Sequence, residues 1–134
     1  MSISSVAIKW FAPEVGQEAA LTLLDGEGEL FAPDLLLAEV TNGLRRKVRK
    51  GEFTARQLDA ALEELGSTLI FLPLTAGLMR EAAAIAADLD HSVYDCIFLV
   101  CAKRQSVPFV TADTKLLAKI SGLPQWRNVQ SLSF

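Results

Sequence analysis

At 134 residues, with 51% hydrophobic residues and a net charge of −3, the chain is long enough for one domain with a real core and too apolar for disorder. No run of about 18 apolar residues occurs, so no membrane span is expected. The acidic balance argues against a general nucleic-acid coat protein, and MSISSVAIKWF lacks the basic start and longer apolar run of a signal peptide.

The first stretch, Ser4 to Phe11, is apolar at Val6, Ala7, Ile8 and Trp10 and is interrupted by Ala12-Pro13. Glu14 to Leu24 has the spacing of an amphipathic helix, with Ala19, Ala20, Leu23 and Leu24 inward. After a turn at Asp25 to Gly28, Glu29 to Ala32 is a short strand. Pro33-Asp34 is expected to open a helix, with the proline in its first turn. The buried stripe of that helix is Leu36, Leu37, Val40, Leu44 and Val48, while Glu39, Asn42 and Arg46 share another face at i, i+3 and i+7. Gly51 stops it. Thr54 and Gln57 form a capping box for a helix that Gly66 is expected to end. Thr68 to Leu72 is a strand closed by Pro73. Thr75 caps a helix to about Leu89, with Leu78, Met79, Ala82, Ile85, Ala86 and Leu89 as candidate core.

The stretch from His91 to Asp113 organises the rest. Ser92 and Asp95 have the spacing of a capping box, and the helix they open is apolar on every side from Ile97 to Ala102, so it should be buried. A helix from Val93 to Arg104 descends roughly 17 Å at about 1.5 Å per residue. A strand from Val107 to Ala112 climbs back roughly 18 Å at about 3.3 Å per residue. Asp95 and Asp113 should therefore return to one edge, the carboxyl end of the sheet, where open α/β sheets hold their ligands. Lys115 to Ile120 is a short helix, Gly122-Leu123-Pro124 a loop and Asn128 to Leu132 a last strand. Strands alternating with helices imply an α/β fold with a parallel sheet covered on both faces.

Cys96 and Cys101 lie five apart on one helix, point to different sides and should stay unpaired. With a single histidine they fall short of a four-ligand zinc site, and buried free thiols fit a reducing cytoplasm. His91 is expected as a solvated helix-start residue rather than a general base, since the sequence offers it no partner. Trp10, Phe11 and Tyr94 are expected in the core rather than as base-stacking platforms.

Three acids stand out. Glu39 follows a strand by about a turn and a half of helix, which brings it toward the same edge as Asp95 and Asp113. Three carboxylates converging there repel one another unless a cation lies between them. Oxygen-only ligands suit Mg²⁺ or Mn²⁺, which activate water and clamp the oxygens of a phosphodiester during hydrolysis. Each acid also has a structural role open to it: Asp95 as a complement to the helix dipole, Asp113 as a cap, Glu39 as a partner of Arg46. Arg45, Arg46, Lys47, Arg49 and Lys50 hold five of the thirteen basic residues. They suit a helix C-terminus, and they also suit an RNA backbone.

Taken together, SVAIKWF, APDLLLAEVTNGL, HSVYDCIFLVCA and FVTADTKLL resemble, in this order and over nearly the whole chain, the PIN-domain ribonucleases, specifically the VapC-type toxins of VapBC toxin–antitoxin pairs. The resemblance implies a single PIN-like domain over residues 1–134, a three-layer α/β/α sandwich around a parallel sheet of strand order 3-2-1-4-5, and Mg²⁺-dependent (or Mn²⁺-dependent) endoribonuclease activity. It also implies a homodimer and a VapB-type antitoxin that blocks the site, often with an arginine. The family's acids carry over to Glu39 in LLLAEV, Asp95 in VYDCIF and Asp113 in VTADTKLL. Thr111 falls where the family often has a site-lining hydroxyl, and Asn42 is a further supporting residue.

One departure stands out. The family opens with a central strand ending in Asp-x-Ser; Ser5 matches the serine, Ile3 falls on the aspartate, and the hydrophobic strand before it is missing. Either the true start lies upstream or this copy has lost a metal ligand and most of its central strand. The first strand is therefore expected to be short, and this form to be folded but weakly active or inactive. The expected function is a metal-dependent endoribonuclease, the toxin of a type II toxin–antitoxin system. The alternative is a PIN scaffold that binds RNA or an antitoxin without cutting. A receiver-type phosphoacceptor domain is more distant, because no lysine stands in a matching late-strand context.

Overall fold

Six consecutive residues of one helix, Cys96 to Cys101, are all buried, and the other elements are arranged around it. The computed structural model describes residues 30–106, 109–111, 114–127 and 129–131. In chain order the elements are β1 (Leu30–Pro33), α1 (Leu35–Arg49), α2 (Ala55–Thr68), β2 (Leu69–Leu72), α3 (Ala76–Leu89), α4 (Val93–Gln105), β3 (Phe109–Thr111), α5 (Thr114–Ile120), one 3₁₀ turn (Pro124–Trp126) and β4 (Val129–Ser131). The strand and helix expected before residue 25 lie outside the described residues.

The strands form two parallel pairs. β1 pairs with β2, Leu30 opposite Leu69 through Pro33 opposite Leu72. β3 pairs with β4, Phe109 opposite Val129 through Thr111 opposite Ser131. Parallel neighbours cannot be joined by a tight hairpin, and the helices supply the crossovers: α1 and α2 for the first pair, α5 and the 3₁₀ turn for the second. Helix α4 packs on β1 and touches β3, so one buried helix serves both pairs. Its residues divide by face. Phe98 and Leu99 join the cluster built on Leu36, Val40 and Leu44 of α1, Leu65 of α2 and Leu116 of α5. Cys96, Ile97, Val100 and Cys101 join Leu78 and Ala82 of α3. At about 100° per residue these are opposite sides of the cylinder, which is why the helix reads as apolar all round. Arg104 Nη2 donates to Glu81 Oε1 at 2.9 Å and ties α4 to α3 at the surface.

Helix ends follow the local chemistry. Thr54 Oγ1 accepts from the Gln57 amide at 3.0 Å while the Thr54 amide donates to Gln57 Oε1 at 2.8 Å. This is the expected capping box, a feature worth about 1 kcal/mol. Thr75 caps α3 through the Leu78 amide at 3.2 Å. Helix α1 ends in a Schellman motif: Gly51, at φ 77, donates to the Val48 carbonyl at 3.0 Å and Glu52 to that of Lys47 at 2.9 Å.

Two expected boundaries shift. Pro33 is not in the first turn of α1; it is the buried last residue of β1. The amide of Asp34 donates to the Leu72 carbonyl at 3.0 Å, so the β1–β2 ladder asks no donor of Pro33 and its missing N–H costs that ladder nothing. Gly66 does not end α2, which runs on to Thr68. A mid-helix glycine costs about 1 kcal/mol against alanine, and fully buried Leu65 with buried Leu69 beyond it outweighs that cost.

Candidate active site

Helix α1 leaves the carboxyl end of β1 through Asp34, and Glu39 is its fifth residue. Glu39 lies between buried Leu36 and Val40, and its Oε1 is shut off from solvent. Helix α4 places Asp95 in its first turn, one turn before Phe98 and Leu99. Those two residues belong to the same core cluster as Leu36 and Val40. The two acids thus sit on helices that share one apolar cluster, Asp95 in the first turn of α4 and Glu39 in the second turn of α1. Only the first-turn position of Asp95 gains from the helix dipole.

Asp95 is 17% exposed and has a neighbour that the sequence did not disclose. His91 Nε2 lies 2.7 Å from Asp95 Oδ2, and the imidazole is only 8% exposed. A carboxylate can only accept, so the proton between them sits on Nε2. The expectation of a solvated His91 is corrected: the cap at Ser92 turns the chain so that residues 91 and 95 face each other at i, i+4. That spacing was the available signal. The cap differs in detail from the expected box, since Ser92 Oγ accepts from the Tyr94 amide at 3.3 Å, at the second helical position rather than the third. Tyr94 is corrected as well. It is 60% exposed rather than in the core, because it precedes Asp95 on the outer side of the first turn.

Asp113, Ser5 and Ile3 lie outside the described residues, as do Trp10 and Phe11. Thr111 is the last residue of β3, and Asn42 is exposed one turn beyond Glu39. Among the described residues, no group of three or more His, Cys, Asp or Glu side chains is gathered closely enough to hold a metal ion. The expected third acid of the set is not one of them. The chemistry of Glu39 and Asp95, two half-buried oxygen donors, fits a hard divalent cation.

The basic run occupies the other end of α1. From Glu39 to Arg45 is about 9 Å along the axis, and to Arg49 about 15 Å. Arg45, Arg46, Arg49 and Lys50 are exposed, whereas Lys47 is half-buried and pairs with Glu52 Oε2 at 3.9 Å. Arg45, Arg46 and Arg49 continue the outer face that carries Asn42, so a basic stripe leads away from Glu39 along the helix.

The two thiols are free and buried, as expected. Burial pushes both up to about 11, which rules them out as nucleophiles near neutral pH. No helix among the described residues is long and apolar enough to cross a membrane.

Residues 4–123 match the PIN domain family. The chain belongs to that family, whose fold is α/β/α, and its parallel strands and enclosing helices accord with it. It is also similar to Ribonuclease VapC3 of Pyrobaculum aerophilum, with 28% identity over 115 residues that span 84% of this chain and 88% of that protein. The resemblance carried by the sequence motifs is thereby borne out.

Proposed function

We propose that this chain is a metal-dependent endoribonuclease, the toxin of a type II toxin–antitoxin pair, in which Glu39, Asp95 and Asp113 hold Mg²⁺ or Mn²⁺. The observation that carries the reading is the pair of half-buried carboxylates, Glu39 in the second turn of α1 and Asp95 in the first turn of α4, on two helices that share one core cluster. The PIN match and the relative named as a ribonuclease support the reaction class. When bound, the cation supplies charge neutralisation and water activation for phosphodiester hydrolysis.

The chain's own residues do the rest. Glu39, Asp95 and Asp113 orient the cation, with Ser5, Asn42 and Thr111 supporting them. Arg45, Arg46, Lys47, Arg49 and Lys50 hold the RNA backbone away from the cleavage point. The whole of residues 1–134 is one PIN-like domain with strand order 3-2-1-4-5, β1 and β2 being the second and third strands and β3 and β4 the fourth and fifth. A VapB-type antitoxin, a homodimeric state and a cytoplasmic location complete the reading. A second reading, a PIN scaffold that binds RNA or an antitoxin without cutting, is favoured by Ile3 standing at the family's first aspartate.

The test measures the Mn²⁺-induced rise in melting temperature and Mg²⁺-dependent cleavage of a fluorogenic RNA, in wild type, Asp95→Asn and Asp113→Asn. A ligand that binds only the folded state raises its stability. A metal shift in wild type that both variants lose supports the metal site; cleavage that both lose supports the enzyme. A metal shift without cleavage supports the scaffold. Equal metal shifts in all three proteins overturn the carboxylate assignment.

A further inference from the structure

We propose that His91 is a positioning residue for the candidate active site: its Nε2–H grips Oδ2 of Asp95 and fixes the orientation in which that carboxylate meets the divalent cation. The inference rests on the assignment of Asp95 as a ligand under the proposed function, and goes beyond it by giving a role to the chain's one imidazole.

The geometry is that of a built contact. The Nε2–Oδ2 distance is 2.7 Å, in the short range of hydrogen bonds to a charged acceptor. The imidazole is 8% exposed and the carboxylate 17%, so water competes poorly for either partner. The backbone that carries the imidazole is fixed on both sides. Asp90 adopts the left-handed conformation at φ 49, and the His91 amide donates to the Ala86 carbonyl at 3.0 Å, closing the end of α3. Ser92 then caps α4. The imidazole is held to two successive helices by main-chain geometry, and its Nε2 is delivered to Asp95 one turn along.

A carboxylate on a short side chain turns about two bonds. Accepting at Oδ2 from a fixed donor sets both its rotamer and its plane, and so the direction of its remaining lone pairs. Ligating carboxylates are commonly hydrogen-bonded in this way, and loss of such a partner costs about 10–100-fold in metal affinity or activity. A contact serving stability alone would lower the melting temperature without touching the metal dissociation constant of the folded protein.

The experiment compares wild type, His91→Phe, His91→Gln and Asp95→Asn. Mn²⁺ affinity is read by calorimetry on folded protein, and metal-free RNA affinity by fluorescence anisotropy. Phenylalanine keeps the bulk and removes the donor; glutamine keeps an N–H. His91→Phe should weaken Mn²⁺ about 10–100-fold with metal-free RNA affinity unchanged, and His91→Gln should recover most of the loss. Wild-type Mn²⁺ affinity in His91→Phe, together with its loss in Asp95→Asn, overturns the role of His91 and leaves the metal site standing. Wild-type affinity in Asp95→Asn overturns the metal site itself, and this inference with it.

A second measurement needs no variant. With one histidine in the chain, the imidazole region of the ¹⁵N spectrum reports on His91 alone. Titration with Mg²⁺ should shift its ring resonances with the same midpoint as the Mg²⁺-induced rise in melting temperature. Resonances that stay fixed through that midpoint overturn the proposal.

Discussion

Lys119 Nζ donates to the main-chain carbonyl of Asp90, so the last turn of α5 holds the left-handed turn that precedes His91. A carbonyl at a helix C-terminus is a natural partner for an ammonium group. Removing the donor while keeping the stem, Lys119→Met, should lower stability by about 1 kcal/mol in urea unfolding. It should also speed amide exchange around Ser92 more than in the centre of α4, since local openings are cheapest at such ends. Uniform acceleration across α4 would show that the bond acts on global stability only.

The basic stripe on α1 begins about 9 Å from Glu39 along the helix axis. Charge reversal at Arg45, Arg46 and Arg49 should therefore weaken RNA binding while leaving Mn²⁺ affinity unchanged. Each lost phosphate contact removes about 0.7–0.9 from the slope of log affinity against log salt. Lys47 is engaged with Glu52 and should contribute least of the five. An unchanged salt slope in the triple variant would return the run to its helix-terminus role.

Cys96 and Cys101 carry a pH prediction. Burial raises both thiols from the ordinary 9.0 to about 11 in the folded chain. Between these values the unfolded chain has released its thiol protons and the folded one has kept them. Stability from the buried neutral thiols is then complete below pH 9 and lost as pH rises through about 11. Urea unfolding at pH 8 and pH 10.5 should show a larger loss in wild type than in the Cys96→Ala, Cys101→Ala double variant. Native thiols should also react with a disulfide reagent at pH 8 on the order of 100-fold more slowly than unfolded ones, in line with their thiolate fraction. Equal rates before and after unfolding would show that neither thiol is shielded.

Much of this arrangement was legible because the deciding interactions are local. Thr54 with Gln57, the cap at Thr75, and the four-residue spacing of Leu36, Val40 and Leu44 act within one or two turns, and each appears as read. The all-round apolarity from Ile97 to Ala102 announced a buried helix; the structure buries Cys96 to Cys101 and leaves Ala102 half-buried. What escaped depended on which side chains the fold buries and, at Pro33, on a partner distant in sequence. Pro33 ends a strand because Leu72, on another strand, takes its bond from Asp34; Gly66 stays helical because Leu65 and Leu69 are buried on either side of it. Tyr94 and His91 trade places with expectation, the aromatic outside and the imidazole inside, because the direction of one capped turn decides both. Asp95 was legible as an acid in the first turn of a helix, and Glu39 as one about a turn and a half into another. The core cluster their helices share was not.

Ile3 stands, by the family resemblance, where an aspartate would complete the acidic set. An aliphatic side chain offers no oxygen to a hard cation, so under the proposed function a site formed with residue 3 in this place would have one anionic donor fewer than the resemblance implies. Affinity for such cations is tuned by the number of charged ligands. Ile3→Asp should therefore tighten Mn²⁺ binding by on the order of 10-fold in calorimetry. It should also raise RNA cleavage more than it raises affinity, because a further ligand narrows the position of the reacting groups, and about 1 Å of misplacement can cost on the order of 10²-fold. Ile3→Asn, with a neutral oxygen, separates charge from ligation and should recover only part of the gain. The decisive comparison pairs Ile3→Asp with Asp95→Asn. If the first binds Mn²⁺ no more tightly than wild type while the second abolishes binding, the site is complete without residue 3. If Ile3→Asp restores affinity even in the Asp95→Asn background, the N-terminal segment holds the cation and the carboxylate of α4 is dispensable to it.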